Sequence, residues 1–344
     1  MHMDFSVGMG RNLRFGDVAD HARVAEESGF SHVTLEDSQN LCRDVYVMMT
    51  MAALSTNRIH IGHGVTNPYT RHPSVTASAT ATIHELSGGR AFLGIGAGFT
   101  AMTTMAMKAR PMAEFRSGIE FFKGYTAGRE VEYRGAKMHS EWSRNQVPVY
   151  IASLGPRSLQ MAGELGDGVI LIGIHPEIMK WNIEQVEKGA QRAGREVSTL
   201  DFWARTMIYI ASSKEEARPN VAASAAMMAC DAWRSLLRRD TPEVADLRNR
   251  MEAAQPGILE EIKAVYDAYD PYQHNVRDAP HAKVVTQRVI DTFLLTGTPE
   301  DIREQIDKLL PLGVNNISTV LFSIIDKKGM MREIADSIMP FYRN

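Results

Sequence analysis

The sequence has only 2 cysteines in 344 residues, Cys42 and Cys230, with no Cys-x-x-Cys spacing. That excludes a disulfide framework and a cysteine zinc site, and fits a reducing compartment. No apolar run approaches the roughly 20 residues of a membrane span. The start, Met1-His2-Met3-Asp4-Phe5, lacks a basic region followed by an apolar stretch, so a cytoplasmic protein is expected. Neither charge is in excess: 38 Lys and Arg stand against 41 Asp and Glu, a net charge of −3. Nothing therefore marks a surface for nucleic acid or an anionic membrane. A P-loop, an H-E-x-x-H helix and a Ser-His-Asp order are also missing.

What is present is an ordinary globular composition, 44% hydrophobic and 23% charged, able to bury a large core. Short β-rich runs alternate with helical patterns, each closed by glycine or opened by a polar cap or proline, as in repeated βα units. Strands are predicted at Asp4–Val7, Phe30–Leu35, Ile59–Val65, Arg90–Ile95, Val147–Ala152, Gly168–Ile174, Phe202–Ala211 and Val314–Phe322. Between them, helices are predicted at Phe15–Ser28, from Asp44 to Leu54, and at Pro73–Leu86, Met112–Tyr125, Arg157–Leu165, Pro176–Ala193 and Pro299–Leu310, with a hairpin around Arg134-Gly135. Eight such units close a (β/α)8 TIM-type barrel, one domain over residues 1–344. The segment between strands seven and eight, about 214–295, is too long for a connection and reads as a helical insertion. Its Met227-Met228 and Trp233 are either plain core or a substrate lid or dimer face.

Barrel active sites lie at the C-terminal ends of the strands, so the segments after each strand carry the functional reading. After strand four, Gly94-Ile95-Gly96-Ala97-Gly98 is followed by Phe99. It misses the third glycine of the dinucleotide fingerprint but offers backbone that a flat ring can approach; a plain rim turn is the alternative. After strand five, Ala152-Ser153-Leu154-Gly155-Pro156-Arg157-Ser158 runs into a helix. Free N–H groups, two hydroxyls and a guanidinium make either a phosphate cradle or an ordinary helix start. Asp37, ending strand two, and His72, beside Pro73, are candidate polar groups at the rim. His60 and His63 sit three apart on a strand, hence on opposite faces, so no metal site is expected.

These residues resemble the bacterial-luciferase-like superfamily, and within it the deazaflavin-dependent branch typified by methylenetetrahydromethanopterin reductase. The resemblance is carried by Gly64-Val65-Thr66-Asn67-Pro68-Tyr69-Thr70-Arg71-His72-Pro73 and by Glu85-Leu86-Ser87-Gly88-Gly89-Arg90 running into Gly94–Gly98. Tyr150-Ile151-Ala152 with Gly155-Pro156, Ala162-Gly163-Glu164 with Gly166-Asp167-Gly168, and Gly297-Thr298-Pro299-Glu300 complete it. It implies a barrel binding a deazaflavin of the F420 type or FMN. The ring would lie over the ends of strands three and four, against Gly64, Val65, Thr66, Asn67, Gly96, Ala97 and Gly98. The phosphate would lie at Ala152–Ser158, with Gly173 also at the cofactor, and a non-prolyl cis peptide is implied at Gly64–Val65. It further implies catalytic roles for Asp37, Ser38 and His72, and a homodimer or higher homo-oligomer.

Three positions depart from that branch. Its reductases carry a Glu on strand one, an Asp-His pair after strand two and an Asp after the strand-four glycines, where this chain has Gly8, Asp37-Ser38 and Phe99. The departures point to a small organic substrate more apolar than a pterin. The leading reading is hydride transfer between a deazaflavin or flavin and such a substrate. The alternatives are a reduced-FMN monooxygenase served by a separate flavin reductase, and a non-catalytic flavin-binding relative.

Overall fold

A computed structural model describes residues 2–10, 13–270, 273, 279–322 and 324–343. Eight parallel strands close a barrel: β1 (Asp4–Gly8), β2 (His32–Leu35), β3 (His60–His63), β4 (Ala91–Ile95), β5 (Val149–Ala152), β6 (Gly168–Ile172), β7 (Asp201–Thr206) and β8 (Asn316–Val320). Each pairs with its sequence neighbour, and β1 closes on β8 from Asp4–Asn316 to Gly8–Val320. The local signals act as expected. Asp44 accepts from Tyr46 and Val47 N–H to start the helix Val45–Ser55, and Pro73 opens the helix Pro73–Leu86. Arg134 and Gly135, both at positive φ, turn the hairpin of Val131–Tyr133 and Ala136–Met138.

One expected strand divides. Phe202–Ala211 is read from sequence as a single run, but the barrel ladder stops at Thr206, paired with Thr319. Ile208 N–H turns to the Thr319 hydroxyl instead, and Ile208–Ile210 pairs with Leu295–Gly297 outside the barrel. The insertion then runs through helices Lys214–Ala232, Pro242–Ala254, Ile258–Asp267 and Gln287–Phe293, with a π-helical segment at Trp233–Leu237 after the first. Met227 and Met228 are buried in the main hydrophobic core.

Most of that core lies between strands and helices, and a second cluster fills the barrel's lower interior. Paired strand residues share a face, which stacks Phe92, Tyr150, Ile170 and Trp203 inward. Tyr150 and Trp203 ring centroids are 4.6 Å apart, and His32 lies 4.7 Å from Trp203. Glycine makes room for these rings: a Cβ on Gly62 would come within 2.4 Å of Phe92, and one on Gly168 within 2.4 Å of Tyr150. Above this aromatic floor the inward positions on β1, β3, β4 and β5 are Gly8, Gly64, Gly96 and Ala152. Large side chains below and small ones above leave the barrel plugged at its base and open at its C-terminal mouth.

Candidate active site

The mouth is shaped first by the end of β3. Gly62 faces Phe92 and Thr66 bridges to Ile95, so four steps along β3 match three along β4, a one-residue bulge. The Gly64–Val65 peptide within it is cis, as the resemblance implies. The bulge brings Val65 against β4, where a Cβ on Gly96 would lie 3.0 Å from Val65 Cγ2 and 3.5 Å from Ala152. Asn67 packs against Gly98, which takes a positive φ. Asn67 Oδ1 accepts from Tyr69 and Thr70 N–H, while its buried Nδ2 has no partner. Val65, Thr66, Asn67, Gly96, Gly98 and Ala152 are therefore brought together, and Ala97 between them faces solvent.

Asp37 lies at the back of this group and is fully engaged. Oδ2 accepts from Thr66 Oγ1 and from Arg71 Nη1, each at 2.6 Å, and Oδ1 accepts from Gln39 Nε2 at 3.0 Å. Ser38 beside it is half-buried, its carbonyl starting a turn by accepting from Leu41 and Cys42 N–H. His72 stands apart from both. Its Nδ1 caps the helix Pro73–Leu86, and its ring packs edge-on against Tyr133 and Phe121 in the outer layer. His63 points away from the barrel interior toward Tyr46, and burial lowers its pKa to about 4. His60 stacks on His32 at 4.8 Å. No metal-binding cluster occurs among the described residues.

The sequence reading passed over the charges that face into the mouth. Glu36 and Arg205 line it with Lys327, which follows β8 and donates to the Leu321 carbonyl at 2.8 Å. Arg205 donates from Nη2 to the Gly64 carbonyl at 3.0 Å, across the barrel. Its Nη1, Glu36 Oε1 and Thr34 Oγ1 are buried without partners. Burial raises the Glu36 pKa, opposed by Arg205 and by backbone N–H groups, and lowers those of Arg205 and Lys327. Two signals were available: strand alternation turns Glu36 inward with Thr34, and Arg205 is the one charged residue within the predicted strand Phe202–Ala211.

On the far side, the helix Pro156–Leu165 starts at the extended residue Gly155 with no side chain capping it. Ser153 Oγ donates to the Ser158 carbonyl and Ser158 Oγ to the Gly155 carbonyl, so both hydroxyls line this turn. Leu154 is half-buried, Pro156 is buried and Arg157 is exposed. A second cation arrives from the insertion: a Cβ on Gly155 would lie 3.8 Å from the Arg239 guanidinium. The insertion frames the mouth again where Arg234, in the π-helical segment, stacks 3.3 Å over the Phe99 ring. Gly173 follows β6 at positive φ, packed against Phe293.

A barrel of this topology, with a bulged third strand facing glycines and a bare helix start after the fifth, defines a class that also shows in comparison. The chain matches the family model "Luciferase-like monooxygenase" over residues 3–316, and it belongs to that family. It is 31% identical to 5,10-methylenetetrahydromethanopterin reductase from Archaeoglobus fulgidus, covering 98% of this chain and 99% of that one. It is 27% identical to F420-dependent hydroxymycolic acid dehydrogenase from Mycobacterium tuberculosis, over 76% of this chain and 79% of that one. The structure of coenzyme F420-dependent tetrahydromethanopterin reductase from Methanopyrus kandleri superposes with a TM-score of 0.82 at 25% identity, over 100% of both chains.

Proposed function

We propose that this chain, an oxidoreductase of the luciferase-like family that works with a deazaflavin of the F420 type or FMN, moves a hydride between a deazaflavin and a small organic substrate. The observation that carries the reading is the pairing of a ring-sized cradle with a bare helix start. Gly96 and Gly98 offer Cβ-free backbone opposite Val65 and Asn67, whose buried Nδ2 lacks a partner. Gly155 opens the helix Pro156–Leu165 uncapped, with Arg157 and Arg239 nearby. In this reading Val65, Thr66, Asn67, Gly96 and Ala152 border the ring, and the Gly155–Ser158 turn with Arg157 and Arg239 holds the phosphate. The cofactor when bound supplies the two-electron chemistry. The protein's part is to orient the reactants and exclude water.

The substrate in this reading is less polar than a pterin, because Gly8, Ser38 and Phe99 replace three ionisable side chains with none. The chain acts in the cytoplasm, where Cys42 and Cys230 stay as thiols outside any disulfide, and as a homodimer.

Absorbance and fluorescence titrations with an F420-type deazaflavin and with FMN, followed by oxygen uptake, test the proposal. Tighter binding of the deazaflavin without oxygen consumption is the expected result. Preference for reduced FMN with oxygen uptake would make the chain a monooxygenase served by a flavin reductase, and binding of neither would make it a non-catalytic barrel.

A further inference from the structure

We propose that Glu36 and Arg205 are the pair that handles the reacting oxygen of a carbonyl or hydroxyl substrate, Arg205 holding that oxygen and Glu36 exchanging the proton with it. The proposal rests on the hydride-transfer reading above.

The two residues reach the mouth from opposite sides of the barrel, β2 and β7. They make no ion pair with one another, and each keeps a buried polar atom without a partner, Glu36 Oε1 and Arg205 Nη1. Unpartnered buried polar atoms on two charged side chains are costly and uncommon. Arg205 is oriented for the task, because Nη2 is occupied by the Gly64 carbonyl and leaves Nη1 as its free donor. Glu36 keeps its place beside Gly8, where a Cβ would come 3.7 Å from Oε1. Thr34, whose hydroxyl also lacks a partner, lies next to it. One donor and one proton-exchanging carboxyl suit a single oxygen that is a carbonyl in one oxidation state and a hydroxyl in the other. A carboxylate ligand would instead set a second acidic group against Glu36. Asp37 cannot fill this role, since both of its oxygens are taken by Thr66, Arg71 and Gln39. The polar groups that this chain lacks on β1 and after β4 are thus replaced from β2 and β7.

In the reducing direction the carbonyl carbon accepts a hydride, one hydrogen with two electrons, from the reduced deazaflavin. The C=O π pair moves onto oxygen, which takes the proton of the Glu36 carboxyl, and water reprotonates the resulting carboxylate. Oxidation of an alcohol reverses each step. The charged groups acting on Glu36 are Arg205 from β7 and Lys327 from the segment after β8, and burial favours its neutral form.

The test uses Glu36→Gln, Glu36→Asp and Arg205→Lys in the full chain. Infrared difference spectra of the cofactor-free protein, wild type minus Glu36→Gln, should show a carboxylic-acid band that persists above the usual carboxylate range. With bound deazaflavin, cyclohexanol and cyclohexanone serve as probes in single-turnover absorbance. Glu36→Gln should slow transfer about 100-fold or more, with deazaflavin affinity within about threefold. The acid limb of the pH profile should vanish in Glu36→Gln and return, displaced, in Glu36→Asp. Arg205→Lys should raise KM for cyclohexanone more than it lowers kcat. An absent acid band, an unchanged pH profile, or a wild type that binds deazaflavin but reacts with neither probe would overturn the proposal and leave the deazaflavin reading standing. A more than tenfold loss of deazaflavin affinity in Glu36→Gln would also overturn it, by making Glu36 a cofactor ligand. Failure of the wild type to bind deazaflavin would overturn the functional reading itself.

Discussion

Arg71 closes on Asp37 with Nη1 2.6 Å from Oδ2, and with its other nitrogen 3.4 Å from Asp44 at the start of the helix Val45–Ser55. One guanidinium thus ties the end of β2 to the loop after β3 and to the next helix. Asp37 carries the Thr66 hydroxyl in the same grip, so it holds the bulged strand in place. Asp37→Asn should break a buried ion pair, at a cost of about 3 kcal/mol, reduced by the remaining Asp44 contact. Denaturant unfolding checks the stability. Turnover should fall along with cofactor affinity if Asp37 positions Thr66, whereas a fall in turnover alone would place its carboxylate at the substrate.

Acid should weaken the fold through two histidines. Burial lowers the pKa of His63 to about 4 and that of His32 to about 3, from an ordinary 6.5. Below pH 6.5 the unfolded chain takes up protons that the folded chain refuses, so stability drops as pH falls from about 6.5 toward 4. Each histidine contributes a slope of up to about 1.4 kcal/mol per pH unit. His63→Phe should fit edge-on against Tyr46 and flatten the slope by about that amount, read from denaturation midpoints at several pH values.

At the helix start after β5, Arg157→Glu should weaken cofactor binding by about tenfold or more, an attraction of about 2 kcal/mol being replaced by repulsion. Arg239→Glu should do the same although it lies in the insertion. Both variants should melt like the wild type. Unchanged affinity for deazaflavin and FMN in both would place the phosphate elsewhere.

Gly64 has no room for a side chain. A Cβ there would meet Thr34 Cβ and Oγ1 at 2.6 Å, so Gly64→Ala should destabilise by about 1–3 kcal/mol through overpacking. The displaced strand should also lower cofactor affinity. Gly64→Ala combined with Thr34→Gly, which removes the Cβ and Oγ1 that the new methyl meets, should recover part of the lost cofactor affinity in titration.

The helix Val45–Ser55 is apolar on both faces: Val45, Met48, Met49, Ala52 and Ala53 are buried, while Val47 and Leu54 are exposed, Leu54 to 69%. Such a helix on a barrel's outside fits contact with a second copy of the chain. Light scattering should give a dimer mass for the wild type and a monomer mass for Val47→Glu with Leu54→Glu. A monomeric wild type at micromolar concentration would remove the idea.

The barrel and most helix boundaries were legible because they depend on local chemistry. Asp44 and Pro73 start helices through their own side chains, Arg134-Gly135 turns a hairpin through backbone conformation, and apolar strands such as Gly168–Ile172 declare burial on both faces. The glycine-rich segments after strands three and four were legible for the same reason. Tertiary structure alone decided which polar groups share the mouth. Arg205 and the Gly64 carbonyl meet across 141 residues of chain, and Arg239 reaches Gly155 from the insertion. Glu36 and Asp37 are neighbours in sequence, yet strand alternation sends one carboxylate into the barrel mouth and the other into a buried ion pair. Residue type marked both as candidates for chemistry. Their partners, brought close only when the sheet closed on itself, left the first free to react and bound the second.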